Sequence, residues 1–338
     1  LRTARVVSCS DPCYNGFVKH GVTLEEVRAR LPGVSANVPL SAYTTFKIGG
    51  PAEFFLKAES EDDVATAVRA SRELGLPLTV LGGGSNVVIA DSGIPGLVIL
   101  VSILGVERRG ELLRVGAGEN FQRLTTWTSR EGLSGLEFGI GIYGTIGGAV
   151  AGNAGAFGSS MGTVVESVEV IDATGERRTY PNAECGFVYR RSRFPAEGAI
   201  VLSADLRTTP SDPKRITATV TEFLSKKRAK QPLGSRCAGC IFKNVQAVLP
   251  RDAGLLERFA DIARGTEIPV GAIIHEVGLG GARAGGVEIS NLHGNFFVNT
   301  GAGTAEQVVI LMSRVQQRVR DTFGVQLQPE VRLIGFEP

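Results

Sequence analysis

Cysteine is scarce in this chain, with five in 338 residues, and a count both odd and sparse excludes a disulfide framework and favours a reducing compartment. An excess of one charge is missing too. The 36 basic residues stand against 34 acidic ones, a formal net charge of +2, so the basic surplus that phosphate-backbone binding needs is absent and nucleic acid is not expected as a partner. No apolar run approaches the roughly 20 residues that span a bilayer; stretches such as Ile94 to Leu104 are broken by Pro, Gly or Ser. Leu1 to Cys9 holds two Arg and no apolar segment of signal-peptide length, so a cytoplasmic protein without membrane association is expected. His20, His275 and His293 show no metal-ligand spacing, and Leu279 stands where a His-Glu-x-x-His motif would need its second histidine. No Gly-Lys pair occurs, which excludes the P-loop form of phosphate binding. What remains, 43% hydrophobic and 21% charged residues, is a globular balance over about two domain lengths.

Glycine is abundant, 44 residues, and it is clustered. Gly82, Gly83 and Gly84 are consecutive, the stretch Gly139 to Gly158 is dense in glycine, and Gly280, Gly281, Gly285 and Gly286 form a third group. Function is sought there, because glycine lets a backbone approach a ligand closely.

The periodicities predict a short peripheral helix around Leu24, Val27 and Leu31, a strand over Phe54 to Lys57, and a helix from Asp62 to Leu74 with Ser60 as N-cap and Gly75 as stop. A strand over Leu78 to Leu81 runs straight into Gly82-Gly83-Gly84-Ser85-Asn86. Strands follow at Ile94 to Val101 and Leu112 to Val115, a helix at Phe121 to Arg130, and a hairpin from Val168 to Tyr180. Thr209 to Pro213 reads as a boundary, after which come helices over Ile216 to Lys230 and Ala305 to Phe323, the latter opened by the Thr304/Gln307 capping box.

Three constellations suggest chemistry. The Gly82–Asn86 turn at a strand end can form an anion nest with Ser85 and Asn86 side chains as added donors, although an ordinary tight turn explains it too. Gly139-Ile140-Gly141-Ile142-Tyr143-Gly144 matches a dinucleotide fingerprint, yet the following helix would contain Gly147, Gly148, Gly152 and Gly155, so an extended glycine segment wrapping a pyrophosphate is expected instead. Cys237-Ala238-Gly239-Cys240 with Cys9 and Cys13 leaves open a zinc site, a redox pair or separate thiols.

The ordered series Thr44-Thr45-Phe46-Lys47-Ile48-Gly49-Gly50, Gly82 to Asn86, Gly144-Thr145-Ile146-Gly147-Gly148 continuing to Asn153-Ala154, Tyr189-Arg190, Ala238-Gly239-Cys240-Ile241-Phe242-Lys243, His293-Gly294-Asn295-Phe296 and Pro329-Glu330-Val331-Arg332 resembles the UDP-N-acetylenolpyruvoylglucosamine reductase (MurB) family. The last of these segments lies after a strand predicted near the C-terminus. The resemblance covers about residues 36–336. It implies an FAD-binding domain of the vanillyl-alcohol-oxidase (PCMH) type over 36–210, in α/β parts 36–101 and 102–210. An α+β substrate domain over 211–338 follows, with its last strand returning to the FAD domain and residues 1–35 as an extension. It also implies tightly bound FAD, NADPH as hydride donor, and a UDP-sugar enolpyruvyl ether reduced in peptidoglycan precursor synthesis by a monomer.

By the same resemblance Arg190, Glu330 and Cys240 are catalytic, and Tyr189, Lys230 and Asn244 bind substrate. Thr45, Gly49, Gly82, Gly83, Gly84, Ser85, Asn86, Gly144, Thr145, Gly147, Gly148, Asn153 and Ala154 hold the flavin, and no metal is implied. Cys240 departs from the family, which uses serine as proton donor to C2; a thiol near pKa 8.5 is mostly protonated at neutral pH and is a stronger acid than an alcohol. Cys237 nearby raises the prospect of a disulfide that would remove that proton. Tyr143 replaces a common proline, and the short Arg190–Cys240 interval matches the form lacking a substrate-closing loop. Lys226, Lys227, Arg228 and Lys230 face the substrate diphosphate or form a solvated helix face. Another oxidase on this fold, or a nucleotide-binding protein without chemistry, are the competing readings.

Overall fold

The computed structural model describes residues 21–247 and 253–336; Cys9, Cys13 and His20 lie outside them. Local chemistry sets the first layer. Ser60 accepts from the Asp63 N–H while the Asp63 carboxylate accepts from the Ser60 N–H, opening the helix Glu61–Leu74, and Gly75 closes it at φ 65°. Val64, Ala67 and Val68 on that helix are buried. The nearby sheet runs in the order Ser35–Pro39, Pro51–Ala58, Ile94–Val101, Leu78–Leu81, antiparallel at the first pair and parallel elsewhere. Ile94–Val101 is apolar on both faces, as a central parallel strand must be.

A second sheet, antiparallel throughout, has the order Arg177–Pro181, Val165–Ile171, Ile200–Arg207, Leu112–Gly116, Val106–Arg109. One continuous core joins both sheets and takes in Val27, Leu31 and Val34. The segment expected to be peripheral is therefore anchored, and Ser35–Pro39 is an edge strand of the first sheet. The third layer is a small antiparallel sheet, Arg283–Ala284, Val287–Ile289 and Phe297–Asn299, with the helix Ala305–Phe323, whose Val308, Leu311, Met312, Val315 and Val319 are buried.

The layers interlock. Phe46, Ile48 and Val88, from the N-terminal half, sit in the core of the third layer. Asp91 accepts from the N–H groups of Ala305 and Glu306 at 2.9 and 3.0 Å, capping the long helix from across the boundary. Asn299 donates to the Phe46 carbonyl and accepts from Gly301 and Gly303. The strand Arg332–Ile334 returns to pair in parallel with Val87–Ile89.

Three expectations change. The glycine stretch forms a six-residue helix, Ile146–Ala151, because Thr145 accepts from the Gly148 N–H and Ile146, Ala149 and Val150 are buried, which outweighs glycine's poor propensity. The strand expected before Pro329 lies after it; residues 328–330 are instead held by backbone bonds to Ile241 and Lys243. Thr209–Pro210, the end of the expected first domain, pairs with Leu133–Ser134 within that domain, but the helix Pro213–Lys230, expected in the second, packs on the Phe121–Arg130 helix of the first.

Candidate active site

Where the three layers meet there is a cavity of about 2220 Å³, well above the 300–1,000 Å³ usual for one small ligand. One wall is the triple-glycine turn. A side chain at Gly83 would place its Cβ 2.6 Å from the Gly144 Cα, so two glycine turns lie directly against each other. Ser85 and Asn86 do not serve as the free donors expected of them: the Ser85 hydroxyl donates to the Tyr143 carbonyl at 2.8 Å and the Asn86 amide to the Glu330 carbonyl at 3.2 Å. The backbone N–H groups of Gly83, Gly84 and Ser85 take no partner among the described residues. Unpartnered amides on a cavity wall of this size fit the anionic diphosphate and the bulk of a flavin dinucleotide.

The second wall carries Arg190, Glu330 and Cys240. Val188 and Arg191 exchange backbone bonds around Tyr189 and Arg190, and Arg190 has φ 55° at the position that normally takes glycine. Such strain, about 1–3 kcal/mol, collects at functional sites. Asn153 holds the turn by donating to the Val188 carbonyl at 2.8 Å and accepting from the Gly162 N–H. Arg190 Nε donates to Glu330 Oε1 at 2.6 Å, and its Nη1 reaches the Gly155 carbonyl at 3.3 Å. Burial raises the Glu330 carboxyl against the downward pull of Arg190, so this acid keeps a proton more readily than a surface glutamate. Burial pulls the Arg190 guanidinium down, but the neighbouring groups, Glu330 first, more than offset it, so Arg190 stays cationic.

Cys240 reaches the same place through two buried asparagine bonds. Asn295 accepts from the Phe242 N–H at 2.9 Å and donates to the Phe242 carbonyl at 2.8 Å, while Cys240 bridges Phe296 and the Glu330 N–H donates to Ile241. Burial first, then the Glu330 charge, pushes the Cys240 thiol up to about 12, with Arg190 opposing. That corrects the ordinary thiol acidity expected from sequence. The Cys237 thiol is pushed up by burial as well, and both cysteines are free.

Other expected residues fall on and off the wall. Thr45 lines it and ties the glycine turn to the cysteine segment, donating to the Cys237 carbonyl at 2.7 Å. Gly82, Gly144, Thr145, Gly147, Gly148 and Ala154 line it too. Gly49 and Asn153 do not: Gly49 packs on Ile89, and Asn153 braces the Arg190 turn. Tyr189 also stands outside the lining, 47% exposed with its ring 5.1 Å from the Arg190 guanidinium carbon. Lys230 lines the cavity, exposed. Asn244 lines it with both amide ends occupied, by Glu267 and the Val270 N–H.

Comparison with known proteins settles the family. Residues 51–180 match the FAD binding domain model and residues 231–334 the model of the UDP-N-acetylenolpyruvoylglucosamine reductase C-terminal domain. The reductase of Rubrobacter xylanophilus is 38% identical over 319 residues, covering 94% of this chain and 99% of that protein. The chain belongs to the UDP-N-acetylenolpyruvoylglucosamine reductase family. The Solibacter usitatus reductase is 36% identical over 89% of this chain and 97% of its own length. The crystal structure of the Thermus caldophilus reductase superposes with a TM-score of 0.74 at 32% identity, covering 89% of this chain and 98% of that one.

Within this family frame, two groups escaped the sequence reading. Asn295 sits in a quoted motif, but only its burial at 1% exposure reveals that it clasps the backbone of Phe242, two residues after Cys240. An amide beside Phe296-Phe297-Val298 was the available signal, since a buried amide needs partners. His293 lines the cavity with Nδ1 accepting from the Asn295 N–H, and burial beside His275 lowers it to about 4, so it is neutral.

Proposed function

We propose that this chain reduces UDP-N-acetylenolpyruvoylglucosamine to UDP-N-acetylmuramate with NADPH, using FAD as resident cofactor, in peptidoglycan precursor synthesis. The glycine-turn amides would hold FAD, which when bound would supply hydride transfer from NADPH to C3 of the enolpyruvyl group. The chain's own residues have the remaining work. Hydride arrival at C3 drives an electron pair toward C2 and the carboxylate, and an enediolate-like dianion needs a fixed cation and donors to form. Arg190 is that cation, its planar fork suited to a carboxylate. Glu330, protonated or sharing a proton, donates to the same oxygens as the charge develops. Cys240 then gives its proton to C2.

Lys230, an exposed cation on the lining, meets the UDP diphosphate, and Asn244 lines the same cavity. The proposal is that one chain suffices, since all three catalytic groups come from it, and that it works in the cytoplasm. No helix among the described residues is long and apolar enough to cross a membrane.

The observation that supports this most is the meeting of Arg190, Glu330 and Cys240, from distant segments, at one cavity walled by unpartnered glycine-turn amides. The purified chain should show a flavin spectrum that NADPH bleaches anaerobically and the enolpyruvyl substrate restores. Bleaching without restoration would mean another oxidoreductase on this fold, and no flavin band a binding protein without chemistry.

A further inference from the structure

Lys227 is anomalous. It is 9% exposed, and among the described residues no carboxylate pairs with it. Its Nζ donates to the Ile140 carbonyl at 2.8 Å and stands 5.6 Å from the Phe157 ring centroid. That ring stacks on Phe223 at 3.9 Å and is held at φ 53°, a left-handed conformation unfavourable for a bulky residue. Gly141 is at φ 67°, and a Cβ there would come 2.8 Å from the Lys227 side chain, so the backbone has been cleared for this lysine. Lys227 lines the cavity; the two carboxylates on the same wall, Glu330 and Glu267, are engaged by Arg190 and by Asn244 and Gln246. A buried cation without a counter-charge costs several kcal/mol, so the chain retains it for an anion that is not its own.

We propose that Lys227 is the counter-charge for the negative charge that the flavin ring gains on reduction. This rests on the flavoenzyme reading above. Three features place the anion on the cofactor side. Ile140 and Gly141, which fix the ammonium, begin the segment that continues to Gly144 against the triple-glycine turn, within the residues matching the FAD binding domain. The substrate carboxylate already has Arg190. The oxidised ring is uncharged, whereas hydride transfer from the nicotinamide to N5 leaves the electron pair as negative charge along the N1–C2 carbonyl edge. Lys227 keeps its proton throughout, and NADP⁺ leaves with the balancing positive charge. Burial and the Arg190 charge lower the Lys227 ammonium to about 8, with Cys240 opposing.

The test is the two-electron potential of the bound flavin, with sulfite affinity at N5 as a second reading of charge on the same edge. Lys227→Met removes the charge and keeps the apolar stem; Lys227→Arg keeps the charge. In Lys227→Met the preference for reduced over oxidised flavin should fall at least tenfold, about 30 mV for a two-electron couple, and sulfite should bind at least tenfold more weakly. Lys227→Arg should stay near the wild type in both. If methionine impairs flavin loading, Lys227→Gln, which can keep the bond to Ile140, carries the same expectation. An unchanged potential with a raised KM for the enolpyruvyl substrate would assign the ammonium to substrate and overturn the proposal; an unchanged potential with unchanged KM would make it a structural group and overturn it equally. A wild-type chain that binds no flavin would overturn the flavoenzyme reading along with it.

Discussion

The proton on Cys240 is held far more tightly than on an ordinary thiol, and this can be measured without turnover. A thiol pushed up to about 12 by burial and by Glu330 presents at pH 8 roughly a thousandfold less thiolate than one titrating near 8.5. Only the thiolate alkylates. Iodoacetamide at pH 8 should modify Cys240 on the order of 10³ times more slowly than a model thiol, followed by peptide mass spectrometry. The rate should keep rising tenfold per pH unit to about pH 11. The shape of that profile separates acidity from mere shielding, since shielding lowers the rate without moving the plateau. A plateau beginning near pH 9 would refute the buried acid. The sign carries to turnover: a raised pKa retains the acid form to higher pH, so proton delivery from Cys240 should not fade as pH rises through 8.5. Cys240→Ala should leave flavin reduction by NADPH intact and slow product formation by about 10²–10⁴, whereas Cys240→Ser keeps much of the activity. A full-rate alanine variant would end the assignment.

Other positions give independent tests. Gly83→Ala drives a Cβ to 2.6 Å from the Gly144 backbone, so it should lower flavin occupancy of the purified protein, read as the ratio of visible to protein absorbance; full loading would contradict the close-approach argument. Asn295→Ala leaves the buried Phe242 N–H without its side-chain partner and should cost about 1–3 kcal/mol in denaturant unfolding, with a larger fall in kcat than the Cys237→Ala variant shows. Asp91→Ala removes two N–H acceptors at the head of the Ala305–Phe323 helix and should cost about 1–2 kcal/mol while leaving KM unchanged.

How far the sequence spoke for the structure depends on the range of the interaction. The helices Glu61–Leu74 and Ala305–Phe323 were readable because their caps, Ser60 with Gly75 and Thr304 with Gly324, lie within one turn of the ends they satisfy. The Ile146–Ala151 helix was not, because burial of its apolar face against other segments decides it. Arg190 and Glu330 could be named from motifs, yet their 2.6 Å contact spans distant segments, and nothing local announces it. Asn153 and Asn86 show the limit most clearly. Both are expected at the flavin; Asn86 lines the cavity and Asn153 does not, and both spend their side chains on backbone carbonyls, those of Glu330 and of Val188 in the Arg190 turn. The acidity of Cys240 and the burial of Lys227 likewise depend on neighbours that only the fold supplies.

A crystal structure of the flavin-loaded protein with UDP-N-acetylenolpyruvoylglucosamine bears most directly on the catalytic assignment. It should place the substrate carboxylate within hydrogen-bond reach of Arg190, the Glu330 carboxyl on the same oxygens, and the Cys240 sulfur facing C2 from the side opposite the flavin. A substrate bound with its enolpyruvyl group out of reach of Arg190 and Cys240 would contradict it.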